Sequence, residues 1–351
     1  MSTYDAIRDL PIHIEEVVTE IHVAPISPEF TRKTTTVRLR PEPYFKHIGP
    51  EGLGEDVTYD PELHEPYRWP WIDLLGDWTI ESFSKRLDEF DLFPGSEPGQ
   101  AAYRDYRRWA FESAALDLAL RQAGLDLGDV LEREFRPVTF VSSTRATSLD
   151  GWLELYPDLR FKLDPTPEWT DELVAVLAAR GNVDVVDLKG AYKGTPVDNP
   201  PDPDLYGRVA EALPEAWIED PALTDETDPV LEPHRDRITW DAPIHSFADV
   251  EALPFAPRCL NVKPSRFGTL ERLFEFYDRC AENGIALYGG GQFELGVGRG
   301  HIQLLASLFS ADGPNDVAPG GYNEAEPRPG LETSPLEPRP DPVGFRRLVY
   351  V

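Results

Sequence analysis

Sulfur is nearly missing from this chain, which carries two cysteines, Cys259 and Cys280, and one methionine in 351 residues. Two thiols are too few for a disulfide framework or a cysteine-built zinc site, so a reducing compartment is expected. Positive charge is short as well: 34 lysines and arginines face 63 aspartates and glutamates, for a net charge of −29. Nucleic acid or an anionic membrane would need a basic face, so neither is expected as a partner. The charge reads instead as a heavily solvated surface. No apolar run approaches the ~18 residues of a membrane span. The opening MSTYDAIRDLPIHIEE lacks the basic and apolar regions of a secretory signal. A soluble, cytoplasmic protein is the expectation. The histidines are scattered without metal-ligand spacing.

Core-forming material is plentiful, with 41% hydrophobic and 11% aromatic residues. The length exceeds one ordinary core and predicts two domains, or a barrel with an addition. Residues 11–24 and 34–40 are rich in β-branched residues and read as two strands of a small antiparallel sheet. The Gly- and Pro-punctuated GPEGLGED that follows reads as a loop. A helical patch near Ile80–Phe90 precedes an apolar stripe of Ala110, Ala114, Ala115, Leu118, Ala119 and Leu120, a helix predicted to stop at Gly124. From Pro137 the rhythm becomes strand, helix, strand. PVTFVSS, LRFKL, VDVVDL, AWIED, RITWD, CLNVK and IALYGG read as seven strands, with an eighth expected near Asp316. Eight such repeats imply a parallel sheet closed into a barrel. An open doubly wound sheet is the alternative, but no Gly-rich phosphate turn follows the first strand. The expected organisation is an α+β domain at 1–135, a (β/α)7β barrel at 136–318, and a Pro- and Gly-rich tail at 319–351 that wraps back over the first domain.

Five polar residues close successive apolar runs: Lys162, Asp187, Glu219, Asp241 and Lys263, spaced 22 to 32 residues apart. In a parallel barrel the carboxyl ends of the strands share one face, so these side chains are expected to converge. Three carboxylates in a small volume need a cation, and oxygen ligands without His or Cys select a hard one, Mg2+ or Mn2+. Lys162 and Lys263 would face each other across it, and a lysine beside a divalent ion can serve as a base. The chain uses few lysines and prefers arginine, which makes lysines at two strand ends stand out.

With those motifs assembled, the chain resembles the enolase superfamily, in its muconate-lactonising branch, and is most similar to o-succinylbenzoate synthases. VVDLKGAY, WIEDP and TWDAPI resemble the segments carrying the family's three metal ligands, at Asp187, Glu219 and Asp241. LNVKPSRFGTL resembles the sixth-strand segment with its catalytic lysine, at Lys263. YGGGQFELGVGRG resembles the seventh-strand glycine segment, bringing Gly290, Gly291 and Glu294 into the candidate substrate site. ESAALDLALRQAG resembles the helix before the barrel, and GPEGLGED the capping-domain loop. The resemblance implies Mg2+-assisted removal of a proton α to a carboxylate, with an enediolate stabilised by the ion, on a small-molecule carboxylate. Dehydration to o-succinylbenzoate is the leading reaction, with N-acylamino acid racemisation and muconate cycloisomerisation as alternatives. A barrel that binds metal without catalysis is the alternative of another class. Homo-oligomers are common in such a family.

Three departures from the family pattern matter. Its second strand carries two lysines one residue apart; here Arg160, Lys162 and Asp164 share that face. Lys162 is aligned with the catalytic second lysine because Leu163 then fills the next apolar slot, and the other register puts Asp164 there. Asn two residues after the third-strand Asp is replaced by Lys189. Gln292 stands where an apolar residue is usual. No His on strand seven accompanies an Asp at the sixth-strand lysine position, which argues against a His–Asp dyad, and the Asp-x-Asp of dipeptide epimerases is absent near the eighth strand. Arg160, Asp164 and Lys189 join the candidate substrate-binding residues. Specificity is expected from the loops Ile26–Lys33 and Phe45–Glu55, closing over the barrel mouth.

Overall fold

The computed structural model describes residues 2–348 apart from 28–29, 43–49, 66–70, 146–147, 193–196 and 325. The chain begins with strands β1 (Pro11–Ile14), β2 (Glu16–Ser27), β3 (Phe30–Arg40), β4 (Gly52–Asp56) and β5 (Gly76–Thr79). Helices α1 (Ile80–Asp88), α2 (Ala102–Ala123) and α3 (Leu127–Leu131) follow. Strands β2, β3 and β4 form an antiparallel sheet in that order, and β1 pairs with β5. The stretch 11–24, expected as one strand, therefore breaks at Glu15. Its buried positions change parity there, from Ile12 and Ile14 to Val17. With a side-chain period of two, that change turns the opposite face inward.

GPEGLGED supplies β4 rather than a loop. Its glycines serve packing: a Cβ on Gly52 or Gly54 would overlap the α2 carbonyls of Ala114 and Ala110. Helix α2 is buried without a break from Trp109 to Leu120, which allows β4 to lie against its backbone. It ends where expected, with Gly124 in the left-handed conformation at φ 70°.

The rest alternates β6 (Val141–Thr144), α4 (Asp150–Leu155), β7 (Arg160–Leu163), α5 (Asp171–Arg180), β8 (Val183–Asp187), α6 (Pro203–Ala212), β9 (Trp217–Glu219), α7 (Asp228–Leu231), β10 (Ile238–Thr239), α8 (Phe247–Glu251), β11 (Cys259–Val262), α9 (Leu270–Glu282), β12 (Ala286–Gly289) and α10 (Val297–Phe309). Strands β6 to β10 form one parallel sheet in sequential order, and β11 pairs with β12. The two sheets join through Asn261 N–H on the Trp240 carbonyl, 3.1 Å. Closure rests on two residues: Asn315 bridges to Phe140 and Asp316 to Gly290, both parallel. The eighth strand is thus a two-residue stave. The result is an α/β barrel with an N-terminal α+β unit, and Phe161, Leu163, Val185, Val186, Ile218, Ile238, Leu260 and Val262 are buried along its strands.

Glu55, at the end of β4, accepts hydrogen bonds from the N–H groups of Leu295, Gly296 and Gly298 at 2.7, 3.0 and 2.7 Å, at the entry to α10. A buried carboxylate there meets the donors that a helix start leaves unpaired. Residues of the tail dock on α2, with the Phe345 N–H on Asp117 at 2.8 Å and the Arg346 guanidinium on the same carboxylate at 2.6 Å. Among the described residues, no helix is long and apolar enough to cross a membrane.

Candidate active site

Asp187 and Glu219 end neighbouring strands in direct register, Asp241 lies two residues beyond β10, and Lys263 follows β11 immediately. All three carboxylates are fully buried. Asp187, Glu219 and Asp220 each offer an oxygen within 4.8 Å of the others. Asp241 points instead to Lys263 Nζ at 2.9 Å and to Arg266 at 2.8 Å, and it accepts from the Tyr192 hydroxyl at 2.9 Å. Asp220 and Arg266 were not singled out from the sequence, although WIED and VKPSR display both. Asp220 takes up the backbone N–H groups of Asp241 and Ala242 at 2.8 Å each, one on each oxygen, so it braces the strand end that carries Asp241.

Lys162 lies lower in the barrel than expected. It pairs with Val185, two residues short of Asp187. Its ammonium is bonded to Glu219 and lies 3.2 Å from Asp187 and 3.7 Å from Asp316. On the oxygen that Lys162 does not reach, Glu219 accepts from both the Tyr288 hydroxyl and, at 3.3 Å, the Asn261 amide. Lys189, in the left-handed conformation at φ 56°, folds back so that its ammonium bonds Asp187 and stands 3.5 Å from Asp164. Arg145 reaches Asp164 from the surface at 3.2 Å.

Arg160 is not brought to this group. It sits at the opening end of β7, paired with Asp184 at 2.7 Å and with the Gly181 carbonyl at 3.3 Å. A residue two positions before Lys162 on the same face is one layer further from the strand's carboxyl end. Gly290 is close to the chemistry: a Cβ there would come within 2.9 Å of Lys263 Cε. At Gly291 it would meet Glu294 Oε2 at 2.7 Å. Glu294 itself closes the turn, accepting the Gln292 N–H at 2.6 Å and pairing with Arg299 at 3.1 Å. Gln292 is polar because two tyrosines from the N-terminal unit meet it, Tyr59 at 2.9 Å and Tyr106 at 3.2 Å. Of the two loops expected over the mouth, residues 28–29 and 45–49 lie outside the described residues.

Burial opposes the charge on Asp187, but Lys189 and Lys162 outweigh it and hold its carboxyl below the usual range. Arg266 and Lys263 do the same for Asp241. Glu219 goes the other way: burial and the charges of Asp187, Asp241 and Asp220 raise it well above a normal glutamate, despite Lys162. Asp220 is pushed up to about 7 by burial and by Asp241 and Asp187. These shifts describe a surplus of buried negative charge. Five cations, Arg145, Lys162, Lys189, Lys263 and Arg266, face six carboxylates, Asp164, Asp187, Glu219, Asp220, Asp241 and Asp316. An all-oxygen donor set on adjacent strand ends fits a hard cation, and the acidic group can hold one.

Two family models cover nearly the whole chain. The C-terminal domain of DUF8230, a domain of unknown function, matches residues 134–324, and its N-terminal domain matches residues 5–130. An o-succinylbenzoate synthase of Geobacillus kaustophilus is 32% identical over 297 residues, 78% of this chain and 75% of that protein. An N-succinylamino acid racemase of an Amycolatopsis species is 31% identical over 97 residues, 23% of this chain and 26% of that protein. Among solved structures, a dipeptide epimerase from Methylococcus capsulatus complexed with Mg ion has a TM-score of 0.66 at 20% identity, covering 90% of this chain and 92% of that one. The last is a likeness of fold.

Proposed function

Because the chain belongs to the DUF8230 family, which matches both its halves, and to the enolase superfamily of its o-succinylbenzoate synthase relatives, we propose that its barrel mouth removes the proton α to the carboxylate of a small molecule. It is an enzyme of the lyase or isomerase kind. The observation that carries the reading is the placing of Lys263: its ammonium stands 2.9 Å from Asp241, at the carboxyl end of the strands beside the buried acids. In its neutral amine form Lys263 takes the α-proton on Nζ and becomes the ammonium. In a dehydration, the electron pair left behind forms the new double bond as the neighbouring hydroxyl departs, and the proton held on Nζ completes the water that leaves. Formation of o-succinylbenzoate is the favoured reaction, supported by likeness to a synthase over three quarters of both chains. Racemisation of an N-succinylamino acid is the second reading, supported by the shorter match to a racemase and by cations on two sides of the acids.

Asp187, Glu219 and Asp241 would hold a divalent ion, Mg2+ first, with Asp220 bracing Asp241. Such an ion supplies positive charge to the substrate carboxylate and so lowers the cost of removing its α-proton. Tyr288 and Asn261 orient Glu219, and Gly290 leaves room for Lys263 to pass. The proposal includes a capping unit at 1–135, a barrel at 136–318 and a tail at 319–351, in the cytoplasm. The family matches, which change over between residues 130 and 134, support the first boundary.

The test is exchange of substrate α-protons in D2O with Mg2+, over a panel of the o-succinylbenzoate precursor, N-succinylamino acids and muconates. Wild type should exchange at least one, and Lys263→Ala should lower that rate by about 10²–10⁴-fold. EDTA should abolish exchange and lower the melting temperature, with Mg2+ at a hundredfold over its Kd restoring about 2.7 kcal/mol of stability. Silence from the whole panel with Mg2+ bound overturns the reading.

A further inference from the structure

The second-strand side of the mouth carries two lysines, and the structure distributes their work unequally. We propose that Lys189, from the end of β8, is the cation that meets the substrate carboxylate on that side, and that Lys162 is a buried counter-cation with no substrate contact. This rests on the reading above that the mouth takes a small carboxylate.

Register is the first ground. Leu163 pairs with Val186, so the next residue of the second strand, Asp164, comes level with Asp187, which is itself level with Glu219. The rim position of the second strand is therefore occupied by an acid. Lys162 lies a layer below it. Its side chain is 2% exposed and its ammonium is committed to Glu219, Asp187 and Asp316. An ammonium has three donors, and three carboxylates inside the barrel already surround this one.

Access is the second ground. A cavity of about 220 Å³ lies among the loops that follow β6, β7 and β8, bordered by Arg145, Asp164, Thr166, Lys189 and Asn199. Lys189 borders it and Lys162 does not. One oxygen of Asp164, buried in the same wall, accepts no hydrogen bond and lies 3.5 Å from the Lys189 ammonium.

Backbone geometry is the third. Lys189 holds φ at 56° and donates its N–H to Asp187 at 3.1 Å. A side chain with a Cβ in that region costs of order 1 kcal/mol, and such positions gather at functional sites. The turn aims the lysine back over the rim. It thus delivers positive charge to the level where the second strand presents Asp164. The positive charge has crossed to the neighbouring strand, and the pair Asp164–Lys189 replaces a lysine at the rim.

Two measurements test this. Protein labelled with 15N at lysine Nζ gives signals from the seven lysines, assigned by Lys189→Gln, Lys162→Gln and Lys263→Gln. Titration of the Mg2+-loaded protein with acetate, as a plain carboxylate probe, should shift the Lys189 signal and leave that of Lys162 in place. The reverse pattern overturns the inference whatever the true substrate is. With any panel compound that exchanges, Lys189→Gln should lose at least tenfold in kcat/KM, Lys189→Arg should recover part of it, and calorimetry should show Mg2+ affinity undiminished in both. Exchange in Lys189→Gln within threefold of wild type overturns the inference while leaving the α-proton chemistry intact. A shifted Lys189 signal without exchange anywhere in the panel sinks the chemistry and keeps the inference.

Discussion

His301 lies in α10, fully buried, with its ring stacked on Phe345 at 4.3 Å and neither ring nitrogen hydrogen-bonded among the described residues. Burial, aided by Arg346 and Arg121, pushes it down to about 3. The unfolded chain takes up that proton near pH 6.5. The neutral ring therefore contributes its full stability above pH 6.5 and loses it as pH falls toward 3. Between pH 7 and 5 the loss is roughly 2 kcal/mol. Urea unfolding of wild type and His301→Phe at those two pH values should show that difference in slope, and equal slopes would rule out a buried neutral imidazole. At this scale the sequence was most informative where a residue type was rare. Lys263, Asp187 and Glu219 stand at strand ends as read, because a polar residue closing a β-branched run has few other places to be. The second strand left a choice open: 160, 162 and 164 share one face, but which of them reaches the rim depends on register with β8, and one strand alone does not encode its neighbour's register.

Among the elements, β4 was the least legible. Glycine is read as punctuation, yet Gly52 and Gly54 are a contact surface for α2, and only the packed helix reveals it. The same strand ends in Glu55, whose carboxylate ties the first sheet to α10. Glu55→Ala leaves three buried N–H groups without their acceptor and should cost about 1–3 kcal/mol, read as a lower urea midpoint. Glu55→Gln keeps an acceptor and gives up the charge, so its midpoint should fall between those of Glu55→Ala and wild type. If both variants match wild type, the junction is held by Arg32 and its four backbone carbonyls instead. The seven regular barrel strands were legible from their apolar runs. The eighth was only placed, since two bridging residues have no pattern.

For the whole molecule, a net charge of −29 is a standing self-repulsion, relieved by salt. The screening length falls from about 10 Å at 0.1 M to about 3 Å at 1 M. The melting temperature should therefore rise by several degrees between 0.1 and 1 M KCl, with NaCl giving the same curve. A flat or falling curve would show that surface charge is not what limits stability. Lysine usage follows the same economy: of seven lysines against 27 arginines, Lys162, Lys189 and Lys263 pair with the buried acids of the barrel.

The clasp between Asp117 and residues 345–346 also has a place in time. Asp117 is fully buried in α2, and the backbone group it finally holds comes 228 residues later in the chain. Until then its companions are Arg121 at 3.0 Å and the Leu53 N–H at 3.0 Å. A chain growing from the ribosome thus completes α2 early and leaves the groove beside it open through most of its synthesis. Contacts between residues so far apart close late and slowly. In that unlatched stage Asp117 has only the partners that α2 and β4 supply.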